Sequence, residues 1–266
     1  MRVRYVVTMV IALVLCFHIA LVPARAPLLA QPAVSSEFQT VILTAELGLI
    51  AHYPFDVDFS DQSGNGNDAT NYGAALVPVG SGQALSLDGV NDYVYVPVDI
   101  NPEVMPQLTI ALWAQATALT GTLISHDNGG YDRCLDIDYR GGGLGWSAFS
   151  GSGGVLGYSP VILGEWVFLA VIYDQDAGTV RFHVNDEVYE EDGTLDSGLD
   201  YLHIGASPSF GSHFPGYIDE VRIYNQALSQ NAISDLRASM PATAASGTSL
   251  ASTPRRAATG CSTRRT

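Results

Sequence analysis

The chain contains no lysine, and charged residues make up only 15% of its 266 positions. Between Glu37 and Arg237 there are 27 acidic residues against five arginines (133, 140, 181, 222 and 237), a net charge of −22 over that segment. A field of that sign repels phosphate backbones, which excludes nucleic acid as a partner and suits neutral ligands and divalent cations. Cysteine is scarce too: Cys16, Cys134 and Cys261 show no zinc spacing and no disulfide framework. A fold of about 190 residues, Glu46 to Arg237, must therefore rest on its apolar core, for which that length is ample. No Gly-x-Ser-x-Gly elbow and no phosphate-binding glycine loop between a strand and a helix is present. The five histidines after His18 have no metal-ligand spacing, and no repeat of fixed period is found.

The two ends differ from the middle. Arg2 and Arg4 precede Tyr5–Val22, a run that is apolar except for Thr8 and His18, and Ala24-Arg25-Ala26 follows as a small-x-small cleavage site. Met1–Ala26 therefore reads as a secretory signal, with Leu29-Ala30 as a second cleavage choice and an uncleaved anchor as the alternative. A secreted or cell-surface location is expected, with no membrane span after cleavage. Residues 27–45 read as a linker. Residues 238–266, rich in Ala, Ser and Thr and closed by Arg pairs, read as a disordered tail.

In between, short apolar runs alternate with Gly, Asn, Asp and Pro, an all-β pattern. Strands are predicted at Leu49–Pro54, Gln83–Leu87, Tyr93–Val96, Leu108–Ala116, Thr122–His126, Cys134–Tyr139, Leu144–Phe149, Trp166–Tyr173, Thr179–Val184, Leu202–Ile204 and Gly216–Tyr224. Trp166–Tyr173 is apolar on both faces and belongs at the centre of a sheet. One short helix follows, with Ser229 as N-cap and Leu228 with Ile233 as a hydrophobic staple. About eleven strands imply two packed antiparallel sheets, a sandwich or jelly roll.

Several segments in order carry a resemblance. They are His52-Tyr53-Pro54-Phe55-Asp56, Asp61-Gln62-Ser63-Gly64-Asn65-Gly66-Asn67-Asp68-Ala69, Ala84–Gly89, Asp92-Tyr93-Val94, Leu108–Trp113, Gly164-Glu165-Trp166, Leu202–Ala206 and Gly216–Ser229. Together these resemble the laminin G-like jelly roll of the concanavalin A-like lectin/glucanase superfamily. The resemblance implies a two-sheet jelly roll of about fourteen strands with its first and last strands adjacent. It also implies a frequent calcium site near that junction and a role as a binding module for glycans or proteins. The same fold supports glucanases, so fold alone does not assign function.

Three constellations are candidates for chemistry. Strand alternation over Gly216–Tyr224 puts Glu220 and Arg222 on one face and leaves Asp219 among Tyr217, Val221 and Ile223 on the other, where a lone buried carboxylate calls for donors or a cation. The Asp56–Asp68 loop is dense in oxygen donors of the kind calcium takes. Asp219, Asp61, Asn65 and Asp56 are the predicted ligands of a structural calcium ion, and Asx turns without metal are the alternative reading of the loop. Second, Asp136 and Asp138 share one face of their strand, while a retaining glycosidase needs a carboxyl pair in register. The glucanase branch carries Glu-x-Asp-x-x-Glu there, and here Tyr139-Arg140-Gly141 follows with no third acid, so no catalytic residue is assigned. Third, Trp146, Phe149, Tyr131, Tyr158 and Phe210 lie in or near Gly-rich loops, with His126-Asp127-Asn128 and Arg133 close by. Trp146, Asp136, Asp138, Tyr131 and Asn128 are the candidate ligand contacts, and a core role is the other reading of Trp146. The expected function is a non-catalytic carbohydrate-binding module. Alternatives are a protein-binding adhesion domain, with an extracellular protein surface as partner, or a glucanase-type hydrolase.

Overall fold

A computed structural model of the chain describes residues 47–239 except 81, 131, 140–142, 150–154 and 194–195. The signal, the linker, the tail beyond Ser239, Cys261 and Tyr131 lie outside the described residues.

In chain order the strands are β1 (Leu49–Tyr53), β2 (Thr70–Tyr72), β3 (Ala75–Val79), β4 (Gly82–Asp88), β5 (Tyr93–Val96), β6 (Gln107–Ala116), β7 (Gly121–Ser125) and β8 (Cys134–Asp138). Then come β9 (Gly145–Phe149), β10 (Val155–Ser159), β11 (Trp166–Asp174), β12 (Thr179–Val184), β13 (Glu187–Asp192), β14 (Leu202–Ile204) and β15 (Pro215–Tyr224), and the helix α1 (Gln230–Ala238) closes the fold. All pairings within the two sheets are antiparallel. One sheet runs β13-β12-β11-β6-β15-β4-β3, with β1 also paired to β15, and the other runs β10-β9-β8-β7-β14-β5-β2. First and last strands are adjacent, as the resemblance implied.

The two sheets pack face to face through one large apolar cluster that includes Leu85, Val94, Ile110, Leu112, Leu135, Ile137, Trp146, Leu169, Val171, Phe182, Ile204, Ile218 and Val221. A second cluster lies on the back of the first sheet. There Ala111, Trp113, Phe168, Ala170, Ile172 and Tyr224 meet Leu228, Ile233 and Leu236 from α1 and its approach. This second layer is why β6 and β11 are apolar on both faces: one face looks into the sandwich and the other is covered by the helix. Ser229 caps α1 as expected, its Oγ accepting the Ala232 N–H at 3.3 Å.

No described helix packs on the outer face of the second sheet. Leu135, Ile137, Trp146 and Ala148 point into the sandwich, so by alternation Cys134, Asp136, Asp138, Ser147 and Phe149 point out. The candidate site lies on this outer face, where Thr122, Ser125, Cys134, Asp138, Ser147 and Phe149 are each at most 9% exposed.

Candidate functional site

On that face β7, β8 and β9 form the floor of a cavity of about 300 Å³, at the lower end of the range for small-molecule sites. Thr122, Ser125, Asp136, Asp138 and Phe149 come from the strands, Asp127 from the turn after β7, and Ser207, Phe210 and Ser212 from the loop after β14. The register sets the rows: Thr122 pairs with Asp136 and Asp136 with Ser147, and one step along, Ser125 pairs with Cys134. Two aromatic side chains stand at the rim, Tyr139 at 76% and Phe210 at 65% exposure.

The loop that carries Phe210 is fastened at several points. Its ends are tied by the Phe214 N–H donating to Gly205 O and the Ser207 N–H to Ser212 O, and Ser209 Oγ donates to Asp127 O at 2.7 Å. Gly121 allows this close approach, since a Cβ there would meet His213 O at 2.4 Å and its φ is +104°. Asp127 in turn accepts the Gly129 N–H at 2.6 Å. Cys134 is a free, buried thiol whose Sγ–H donates to Asp136 Oδ2 at 3.3 Å. Burial, then the Asp136 charge, pushes that thiol well above its ordinary pKa, so it is a positioned donor and not a nucleophile. Three carboxylates, five Ser/Thr hydroxyls and two exposed rings thus face one concavity, and among the described residues no cationic side chain lines it. Such a lining accepts hydrogen bonds from a neutral polyhydroxylated ligand and offers aromatic surface to its apolar faces.

The predicted ligand contacts fare unequally. Asp136 and Asp138 are brought together in the cavity wall, as strand alternation implied. Trp146 is corrected: it is only 2% exposed and packs in the sandwich core, its ring centroid 6.4 Å from that of Phe214, because pairing with the inward-facing Ile137 fixes its direction. Asn128 is exposed, but its Nδ2 donates to Ser197 O at 2.8 Å and it does not line the cavity. Sequence reasoning missed Tyr139 at the end of β8, together with Thr122, Ser125, Ser207 and Ser212. A Ser-rich turn beside a free Phe210 was the available signal. His126 and Arg133 are not at the surface: both are fully buried, His126 Nε2 accepting the Arg133 N–H and Arg133 Nη1 donating to Ile100 O and Met105 O.

The predicted calcium ligands lie around the junction of β1, β4 and β15. Asp61 accepts four hydrogen bonds, from the backbone N–H of His52 (2.9 Å), Ser63 (2.8 Å) and Asn67 (3.1 Å) and from Ser63 Oγ (2.7 Å). Burial pushes its pKa up, but these donors outweigh it and the net shift is downward. A carboxylate has about four acceptor sites, so Asp61 has none left for a cation. Asn65 turns its Nδ2 to Leu49 O and Ile50 O. The loop thus has the Asx-turn organisation that was the alternative reading.

Asp219 is 2% exposed, but the strand phase expected for it is corrected. Trp113 pairs with Asp219 and Ala111 with Arg222, so Glu220 and Val221 together oppose Leu112. This bulge, with Glu220 at φ 54°, puts Ile218 before it and Val221 and Ile223 after it on the core face, and turns Asp219 to the back of the sheet. Asp219 Oδ1 accepts the Glu220 N–H at 2.8 Å. Glu220 reaches both Arg222 Nη2 at 2.6 Å and His52 Nε2 at 2.7 Å, the former pair as the sequence suggested. Asp56 Oδ1 accepts the Gln83 N–H at 3.3 Å and Asp56 O accepts from Gln83 Nε2. Since Leu85 pairs with Ile218, the register carries Gln83 toward the bulge and Asp56 with it. Asp56 and Asp219 therefore flank the gap between β4 and β1, whereas Asp61 and Asn65 belong to the loop's internal bonding. Among the described residues no three His, Cys, Asp or Glu side chains form a metal-binding group.

With the fold and the site described, comparison with known proteins is decisive on kinship. Residues 88–234 match the Laminin_G_3 family, described as the concanavalin A-like lectin/glucanases superfamily. The chain belongs to that family. Comparison with curated proteins by sequence gives no match. Among solved structures, domain 4 of AbnA, a GH43 extracellular arabinanase from Geobacillus stearothermophilus in complex with arabinotriose, is similar, with TM-score 0.57 and 24% identity over 71% of this chain and 97% of that one. The botulinum neurotoxin serotype D binding domain superposes with TM-score 0.57 and 14% identity, over 73% of this chain and 52% of that one. Trypanosoma rangeli sialidase gives TM-score 0.55 and 16% identity, over 71% of this chain and 32% of that one. The chain spans about half the toxin domain and a third of the sialidase. At these identities the likeness shows the jelly-roll fold. No described helix is long and apolar enough to cross a membrane.

Proposed function

We propose that this laminin G-like domain is a secreted or cell-surface carbohydrate-binding module without catalytic activity. The observation that carries the reading is the cavity on the outer face of the second sheet, where Asp127, Asp136 and Asp138 and the hydroxyls of Thr120, Thr122, Ser125, Ser207 and Ser212 lie beneath two exposed rings, Tyr139 and Phe210. Apolar sugar faces pack on such rings while carboxylates and hydroxyls orient the sugar's own hydroxyls. The arabinotriose held by the arabinanase domain supports a neutral oligosaccharide as ligand. The high negative charge disfavours anionic glycans. Calorimetric titration of the domain with arabinotriose and with xylo-, cello- and manno-trioses tests this. Saturable binding of at least one, weakened in Phe210→Ala, is expected, and no binding to any overturns the reading. Reducing-sugar release from mixed β-glucans would overturn the non-catalytic part alone.

The same proposal includes a structural calcium ion at the β1–β4–β15 junction. Asp219 and Asp56 would hold it, together with backbone carbonyls, without Asp61 or Asn65. What supports this is the burial of Asp219 at the bulge and the tie of Asp56 to Gln83 across the gap. The ion would neutralise a buried carboxylate and pin the N-terminal loop to the last strand.

A further inference from the structure

The cavity lies over one half of the second sheet's outer face. The other half, over β14, β5 and β2, carries Tyr72, Tyr93, Tyr95, Tyr201 and His203. Alternation turns Tyr93, Tyr95 and His203 outward, because Val94, Val96, Leu202 and Ile204 are in the core. The rings form a continuous ladder. Centroids are 4.7 Å apart for Tyr72–Tyr93, 4.3 Å for Tyr93–His203, 5.5 Å for His203–Tyr201 and 4.9 Å for Tyr201–Tyr95.

Tyr72 and Tyr93 stack within 8° of parallel and Tyr93 and His203 within 27°, so these three rings cover one another's faces, while Tyr201 is tilted by 35° against His203 and by 38° against Tyr95. The far face of Tyr72 is the exception: β2 is the edge strand and Tyr72 is 47% exposed. Among the described residues none of the four phenol hydroxyls has an intramolecular hydrogen-bond partner. Each is both donor and acceptor, which is the pattern a chain of sugar hydroxyls meets.

The register joins the ladder to the cavity. His203 pairs with Tyr95 on one side and with Ser125, a cavity-lining residue, on the other. From Ser125 to Tyr72 the path crosses from β7 over β14 and β5 to β2, roughly 15 Å at ordinary strand spacing. Burial and the neighbouring His213 lower the His203 pKa to about 4, so the ladder carries no positive charge near neutrality.

We propose that the tyrosine–histidine ladder is a second subsite, which takes the continuation of a neutral oligosaccharide whose first units occupy the cavity. This rests on the carbohydrate reading above and makes it a claim about chain length. Ring edges and hydroxyls hold the sugar hydroxyls along the chain, and the open face of Tyr72 supplies the terminal stacking surface.

Calorimetric titration with trioses and hexaoses of the arabino, xylo, cello and manno series tests the extension. The wild-type domain is expected to bind the hexaose of the recognised series about tenfold tighter than the triose, as a second linked contact allows. Tyr72→Ala is expected to cut that advantage to about twofold with triose affinity unchanged, and Tyr201→Phe, which removes one hydroxyl and keeps the packing, to reduce it in part. Phe210→Ala is expected to weaken triose and hexaose alike. Triose binding that weakens in Phe210→Ala, with no gain from length or a gain that survives both tyrosine variants, overturns the ladder and leaves the cavity reading standing. Absence of binding to every sugar in the wild type overturns both.

Discussion

Asp61 Oδ1 accepts the backbone N–H of His52 at 2.9 Å, nine residues upstream, and so fastens the Asp56–Asp68 loop to the first strand. The other three bonds to this carboxylate close the loop on itself. Hydrogen bonds to an ionised acceptor contribute more than neutral ones, and removing the acceptor leaves several N–H groups without a partner. Asp61→Ala is expected to destabilise the domain by about 2–4 kcal/mol in urea unfolding. The folded-state pKa of Asp61 lies below the ordinary 3.8. Its contribution is therefore fully present above that value and is lost as pH falls through the folded pKa.

The calcium proposal separates Asp219 from Asp61. Chelation is expected to lower the melting temperature of the wild-type domain, and added calcium to restore it. Asp219→Asn keeps the shape and the acceptor for the Glu220 N–H but removes the charge, and is expected to abolish the calcium response. Asp61→Ala is expected to melt lower than wild type yet still respond to calcium. A response that disappears in Asp61→Ala and survives in Asp219→Asn would place the ion in the loop instead.

What the sequence revealed and what it hid follow from how far apart the determinants lie. Trp166–Tyr173 was legible as a central strand because its burial on both faces is written in consecutive residues. Asp136 and Asp138 were legible as neighbours because a strand alternates. β13 was not legible: Glu187-Val188-Tyr189-Glu190-Glu191-Asp192 is a charged edge strand, held by its ladder with β12 and by Arg181 Nε donating to Glu190 at 2.8 Å. β3 was hidden by Pro78, which is tolerated because β3 is also at an edge. β2 is only three residues long, and β10 carries Gly157 at its centre, so neither shows a strand pattern. The phase of Asp219 failed because a bulge adds a residue without a local marker beyond Glu220 itself. The cavity was half visible, since Ser207–Ser212 reaches β7 through topology and not through sequence proximity.

Two histidines set an acid limit. Burial and nearby Arg181 lower the His183 pKa to about 4, and His183 Nε2 is buried with no hydrogen-bond partner among the described residues. Burial and His213 lower His203 to about 4. Above the ordinary 6.5 both are neutral in the folded and unfolded chain. As pH falls from 6.5 to 4 the unfolded chain takes up protons that the folded one refuses, so stability falls across that window, on the order of a few kcal/mol for the pair. Thermal melts at pH 7 and 4.5 are expected to show the drop, and His183→Gln to reduce it. An unchanged drop in that variant would assign the acid limit to other groups.

Binding and stability are expected to separate across β8 and β9. Trp146 points into the sandwich and Asp138, on the adjacent strand, into the cavity wall. Trp146→Ala removes a large core ring and is expected to cost about 3–5 kcal/mol of stability. Asp138→Asn keeps the volume and removes only the charge, and is expected to shift stability little while weakening sugar binding about tenfold, since an ionised acceptor holds a hydroxyl more strongly than an amide does. Trp146→Phe supplies the control: a smaller core loss, with the sugar affinity of the folded fraction unchanged. Loss of affinity in Trp146→Phe at full folding, with Asp138→Asn binding as wild type, would move the ligand away from the outer face of β8.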